Sequence, residues 1–306
     1  LTRTGFHPSS KGGLFGAAAA AGALLNLNER KMRYLLAYAA QQASGILAML
    51  REPQHNEKAY VVGGMPAHNG VAAAQMVASG FTGVEDCLTG EGNFLSAFSS
   101  GADPAVLVRG LGRDYEILNC NIKYWPVGGP IQGPLHVLRD LMTRHAFKAG
   151  DVEKVVARMP DKAFEVVDNR DTPDICVQHL LAVMLLDGTV TFRTAHDFAR
   201  LKDPRVLKVE KRIEVLGDAS LTVPERRWCC AMEVTLKDGR KVAHQTMAAK
   251  GSTGNPLKRQ DVAEKALDLM APVLRKEPSR NLIAALLSVE TIRDARALRN
   301  FYTPRP

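Results

Sequence analysis

Apolar positions in the first third of the chain recur at helical spacing. Leu14 to Leu27 is alanine-rich and ends near Asn26 and Asn28. Its small side chains permit a neighbouring helix to approach closely, so it reads as a packed central helix. From Glu29 to Leu50, the residues Met32, Leu35, Leu36, Ala39, Ala43, Ile46 and Leu47 fall on one helical face and predict a second helix. Asn69 to Ser79 predicts a third, short one that Gly80 stops. Glu91-Gly92-Asn93 and Gly101-Ala102-Asp103-Pro104 then punctuate the chain ahead of residue 118.

The pattern changes near Ile117. Pro126, Gly128, Gly129, Pro130, Gly133 and Pro134 predict a rigid, turn-rich loop, and a helix is expected to start at Pro134 with Leu135, Leu138, Leu141 and Met142 on its apolar face. A strand is expected at Ala163 to Val167, and a buried helix from Ile175 to Asp187 that Gly188 ends. Thr194 is the expected cap of a further helix ending before Asp203-Pro204. Arg212 to Leu216 reads as a short strand. From Trp228 to Lys237 apolar residues alternate with the others, Asp238-Gly239 is a hairpin turn signal, and Lys241 to Met247 is the return strand. After Gly254-Asn255-Pro256 the spacing of Val262, Ala266, Leu269 and Val273 is helical again, and Ser279 opens a last helix through Ile283, Leu286 and Leu287. The class this predicts is α+β: an all-helical main domain (residues 1–117 and 257–306) with a smaller α/β lid domain (118–256) inserted into it.

Composition narrows the partners. Apolar residues make up 46% and charged residues 24% of the 306, a globular balance. No uninterrupted apolar run reaches the ~20 residues of a membrane helix, and Gly12 to Leu27 lacks the basic flank of a signal peptide. The net charge is +8. Its Lys and Arg are dispersed, aromatics are only 6%, and no zinc-finger or RNA-binding motif occurs, which argues for anionic small molecules over nucleic acid. Cys87, Cys120, Cys176, Cys229 and Cys230 are odd in number and have no CxxC spacing. They read as buried apolar thiols in a reducing cytoplasm.

Few residues stand out for chemistry. Gly5-Phe6-His7-Pro8-Ser9-Ser10 precedes a helix, whose free N–H groups and positive field suit a carboxylate. His7 there is either a general acid or base or simply a cap, and Ser9 is a candidate binding residue. Lys58 and His68, the latter in Gly63-Gly64-Met65-Pro66-Ala67-His68-Asn69-Gly70, either line a site or lie on the surface. Lys123 and Tyr124 precede the Pro/Gly loop. A lysine there either presents a fixed charge to a carboxylate or is merely solvated. The loop is neither GxxxxGK[ST] nor GxGxxG. Asp161, Glu165, Asp168, Asp171 and Asp174 read as a solvated face, and His179 and His244 as core or edge residues.

These segments, in this order, resemble the MmgE/PrpD family. Gly5-Phe6-His7-Pro8 with Gly12 to Ala21 is similar to its GFHP…G.GAAAA stretch. Gln42-Ala43-Ser44-Gly45 resembles its next helix, and Gly64 to Ala73 with Gly80-Phe81-Thr82-Gly83 its AA.NG..AA…GFTG stretch. Lys123 with Pro126 resembles its K..P segment, and Asp187 to Val190, Asp203 to Val206 and Asp238-Gly239 fit its later part. The resemblance implies a helical domain with an α/β lid, a homodimer, no metal or other cofactor, and a small anionic di- or tricarboxylate as substrate. By motif His7 matches a site histidine and Lys123 a site lysine, while Lys58 falls one position from another. The family's aspartate and histidine upstream of GFHP have no counterpart here, because the chain starts at Leu1. The expectation is a processed product or fragment, with the first part of the helical domain missing and those residues supplied by a missing segment or a complementary chain. Where many members carry a cysteine or histidine two residues after the K..P proline and a histidine further on, this chain has Gly128 and Gln132. These departures point to a different substrate or mechanism within the family.

The expected activity is carbon–oxygen cleavage by a 2-methylcitrate dehydratase-like lyase. Proton abstraction beside a carboxylate starts it, His7 does the acid/base work and Lys123 stabilises the charge. Decarboxylation or epimerisation of a related acid uses the same toolkit. A non-catalytic or truncated family member is the reading from another class.

Overall fold

The computed structural model describes residues 5–52, 56–223 and 228–302. By internal packing the chain divides into two units, Leu1–Tyr115 and Glu116–Pro306.

The first unit is helical. Helix α1 (Pro8–Leu24) starts on a proline, whose fixed φ suits a first turn, and is capped by His7. Helix α2 (Glu29–Gln41) is capped by Asn28, whose side chain accepts the Lys31 N–H at 3.0 Å. It stops nine residues short of the predicted Leu50. The carbonyls of Ser44 and Gly45 are taken by Ser10, Lys11 and His7 of the α1 entrance, so the backbone there cannot also close helical bonds. A 3-10 turn, Leu47–Arg51, follows. The short α3 (Asn56–Ala59) runs through a π turn, Tyr60–Gly64, into α4 (Met65–Ala78).

The alanine-rich sequence serves close packing. A Cβ on Gly70 of α4 would lie 2.7 Å from both Ala18 N and Leu14 O of α1, so the two helices touch backbone to backbone there. Leu14, Ala18, Leu35, Ala73, Ala74 and Val77 form the buried centre. Each large side chain in it contributes about 1.5–3 kcal/mol. Helix α5 (Phe94–Phe98) sets Phe94 edge-on to Phe15 and Phe98 edge-on to Phe6.

The second unit is α+β. Helix α6 (Gln132–His145) buries Leu135, Leu138 and Leu141 as expected, but begins two residues before Pro134. A four-stranded mixed sheet follows, in the order β2-β1-β3-β4. Strand β1 (Val152–Met159) pairs parallel with β2 (Ile213–Gly217) and antiparallel with β3 (Cys230–Leu236), which forms a hairpin with β4 (Lys241–Thr246). Gly239 takes φ +86° in the hairpin turn, a conformation glycine adopts without strain. The parallel pair needs a crossover. It is made by α7 (Asp161–Val167), α8 (Val177–Asp187), α9 (Phe192–Ala195) and α10 (Pro204–Glu210). Helix α8 is buried from Val177 to Leu185 and ends at Gly188, φ +74°. After the sheet come α11 (Arg259–Leu274), α12 (Lys276–Leu287) and α13 (Arg299–Tyr302).

Several expectations need correction. Residues 163–167 are helical: Ala163, Phe164 and Val167 turn inward at helical spacing, whereas Val166 is exposed. The edge of that unit's core, not β-branching, decides the local state. The cap of α9 is Thr191, with Thr194 the reciprocal member of its capping box. Helix α12 starts at Lys276, so Ser279 lies inside it. Cys176, Cys229 and Cys230 are buried thiols, but Cys87 is half-buried and Cys120 exposed. His179 is fully buried and reaches Glu210 at 3.0 Å, and His244 stands on the edge strand β4. Among the described residues no helix is long and apolar enough to cross a membrane.

Candidate active site

In the first unit the candidate chemistry gathers at the entrance of α1. Its position is set by a pair of segments: His7 N–H donates to the Gly45 carbonyl at 2.8 Å, Leu47 N–H to the Gly5 carbonyl at 2.8 Å, and Phe6 bridges Ile46. Ser10, buried, donates its hydroxyl toward the carbonyls of His7 (2.8 Å) and Ser44 (2.7 Å). Gly45 has φ +99°, and a Cβ there would overlap the Ser10 hydroxyl, so only glycine fits this corner.

The His7 ring is half-buried, and its Nδ1 accepts the Ser9 N–H at 3.2 Å. A ring nitrogen that accepts a hydrogen bond carries no proton, so in neutral His7 the proton resides on Nε2, which is a donor. Burial first, and then the charges of Lys58 and Lys11, hold the ring's pKa below its usual 6.5. Lys58, on α3, is half-buried. Lys11 is only 4% exposed. Its ammonium donates to the Ser44 carbonyl at 3.0 Å and lies 4.2 Å and 4.6 Å from the ring centres of Phe6 and Phe98. Burial holds its pKa below the usual lysine range. The cluster thus offers a neutral imidazole N–H and two cations beside a helix N-terminus, a set matched to an anionic group.

Of the sequence candidates in this unit, the structure brings His7 and Lys58 within electrostatic reach of each other. Ser9 contributes its backbone N–H, and its side chain faces solvent. His68 is exposed on α4 beside Asn69, 3.2 Å away, and is hydrogen-bonded to neither His7 nor Lys58. Lys11 was missed. Its signal was its place four residues after His7, one helical turn on, which puts both on one face.

In the second unit Lys123 is exposed on a segment without regular structure. Its neighbours are tied down. Ile122 N–H donates to the Gly251 carbonyl at 2.8 Å, and Gly251, φ +96°, leaves no room for a Cβ against the Ile122 carbonyl. Gln132, fully buried at the head of α6, accepts the N–H groups of Tyr124 (3.0 Å) and Trp125 (3.1 Å) and returns a hydrogen bond to the Trp125 carbonyl at 3.0 Å. The Tyr124 ring lies 4.7 Å from Lys250 Nζ and 4.8 Å from the Arg139 guanidinium. These cation–π contacts make Tyr124 a support for positive charge. Gln132, Lys250 and Arg139 carried no local signal, because their contacts cross a turn-rich loop or, for Lys250, most of the unit, and follow no helical or strand period. Among the described residues no three His, Cys, Asp or Glu side chains gather as a metal site would need.

Similarity to known proteins runs along both units. The MmgE/PrpD N-terminal domain matches residues 1–107 and the MmgE/PrpD C-terminal domain residues 125–291. The cis-aconitate decarboxylase of Homo sapiens is 24% identical over 308 residues, 96% of this chain and 62% of that protein. That of Mus musculus is 24% identical over 311 residues, covering 96% and 61%. The chain spans about three-fifths of the length of these relatives.

Proposed function

This chain belongs to the MmgE/PrpD family, and on that premise we propose that it is a lyase acting on a small di- or tricarboxylate through negative charge developed beside a carboxylate. The observation that carries this reading is the α1 entrance, where a histidine whose Nδ1 is taken by the Ser9 N–H, leaving Nε2–H as its donor, stands under the field of two lysines. Removing a proton α to a carboxylate builds charge that cations and N–H donors stabilise. When a hydroxyl departs from the adjacent carbon, it needs a proton donor. His7 Nε2–H fits the donating half of that acid/base work, Lys58 a substrate carboxylate, and Lys123 a carboxylate or the developing charge. Dehydration of a 2-methylcitrate-like substrate is the first reading.

Decarboxylation is the second, favoured by one observation: both curated relatives are cis-aconitate decarboxylases. Loss of carbon dioxide leaves the same kind of carbanion, and the donor then delivers a proton to carbon. Assaying purified protein side by side on 2-methylcitrate, cis-aconitate and iminodisuccinate separates the readings by product. Full turnover by His7→Ala would remove the assignment of His7, and absence of turnover on all three would remove the lyase reading. Five free thiols fit a reducing, cytoplasmic setting. A homodimer is the assembly the family resemblance implies, and sedimentation velocity tests it.

A further inference from the structure

Lys265 lies on α11, 142 positions along the chain from Lys123, and its ammonium donates to the Lys123 carbonyl. One turn earlier on the same helix, Asp261 takes the ammonium of Lys250 at 2.5 Å and the Lys258 N–H at 2.9 Å. The first turns of α11 therefore bring an ammonium to the segment that carries Lys123 and a carboxylate to Lys250. The carboxylate is spent on Lys250. Among the described residues no carboxylate pairs with Lys265, which is half-buried. Burial first, and then the like charge of Lys123, hold the Lys265 pKa below the usual lysine range. The charged form of Lys265 is thus disfavoured by burial and by the like charge of Lys123. An anionic ligand with more than one carboxylate offsets both.

We propose that Lys265 is a second carboxylate-binding residue beside Lys123, so that the second unit presents a two-cation site selective for ligands carrying at least two carboxylates. This rests on the reading of the protein as a polycarboxylate lyase and names the residue that reads the second carboxylate. The hydrogen bond to Lys123 uses one of the three N–H groups of Lys265, and two remain for a ligand. The sequence offers no hint of it, because Lys265 sits on an otherwise ordinary amphipathic helix.

Calorimetric titration of the whole protein with propane-1,2,3-tricarboxylate, which carries no hydroxyl to lose, tests the assignment. Lys265→Gln keeps a donor for the Lys123 carbonyl but removes the charge, whereas Lys265→Arg keeps the charge. The expected result is affinity weakened roughly tenfold or more in Lys265→Gln, largely restored in Lys265→Arg, with KM rising more than kcat falls and with unchanged thermal unfolding. Wild-type affinity in Lys265→Gln overturns the proposal, because a donor alone then suffices. If that happens while Lys123→Gln loses binding, the polycarboxylate reading stands and this inference alone falls. A wild-type protein that binds no tricarboxylate overturns both.

Discussion

The α1 entrance and the Lys123 segment both present positive charge, but they hold it in place by different means. At the entrance His7, Ser9, Ser10 and Lys11 share one helical turn, and the geometry follows from a cap and a proline; a single corner at Ser44-Gly45 completes it. Lys123 has no helix or strand to orient it. It depends on Gln132 of α6, Lys265 of α11 and Gly251 in the turn before α11. Local order is inexpensive because few residues must be fixed together, while a loop held by distant ties needs the whole unit folded first. The entrance should therefore fail by chemistry, and the Lys123 segment by loss of support.

Replacing His7 should have the largest effect. His7→Ala is expected to lower turnover on the order of a hundredfold or more and to cost the helix its cap. His7→Asn restores a good N-cap and should recover thermal stability without recovering turnover. If Asn recovers both, His7 is a cap only. Lys123→Ala should lower kcat/KM on the order of a hundredfold with little change in unfolding.

Gln132→Ala should reverse that balance. It leaves the N–H groups of Tyr124 and Trp125 unpaired, while the Trp125 carbonyl keeps the Val127 N–H, so a loss of about 2 kcal/mol or more in urea unfolding is expected, with a secondary fall in activity through Lys123. An unchanged unfolding midpoint would show that the segment has other anchors.

Gly45→Ala and Gly251→Ala place a Cβ at φ +99° and +96° against neighbouring atoms. Each should cost at least about 1 kcal/mol in thermal unfolding. Gly45→Ala should disturb the His7 titration, and Gly251→Ala should not.

The smallest effect is electrostatic. Lys58→Met removes a positive neighbour, so the His7 pKa, followed by NMR, should move up toward 6.5. Because the folded ring binds its proton less readily than the unfolded one, its contribution to stability is fully present above the ordinary pKa. It is lost as pH falls from there through the folded value. Lys58→Met should narrow that window. A ring that titrates identically in both proteins would place Lys58 outside the cluster.

Much of the architecture was legible from residue pattern. Helices α1, α6 and α8 and the β3–β4 hairpin announce themselves through apolar period, Pro8, Gly188 and Asp238-Gly239, signals that act within a few residues. Strand β1 did not, although it is central to the sheet. Its register shifts between Val152 and Lys154, and Val155-Val156 interrupt the alternation. Pairing with β2 and β3 on both sides makes it a strand.

The site divides the same way. The sequence alone determined that a histidine stands at a helix entrance and a lysine ahead of a proline-glycine loop, because capping and turn chemistry are local. Tertiary structure decided that Lys58 presses on His7, and that Gln132, Gly251 and Lys265 hold the Lys123 segment. Hydrogen bonds and charges between residues far apart in the chain exist only once the fold has brought them together, and no local pattern encodes them.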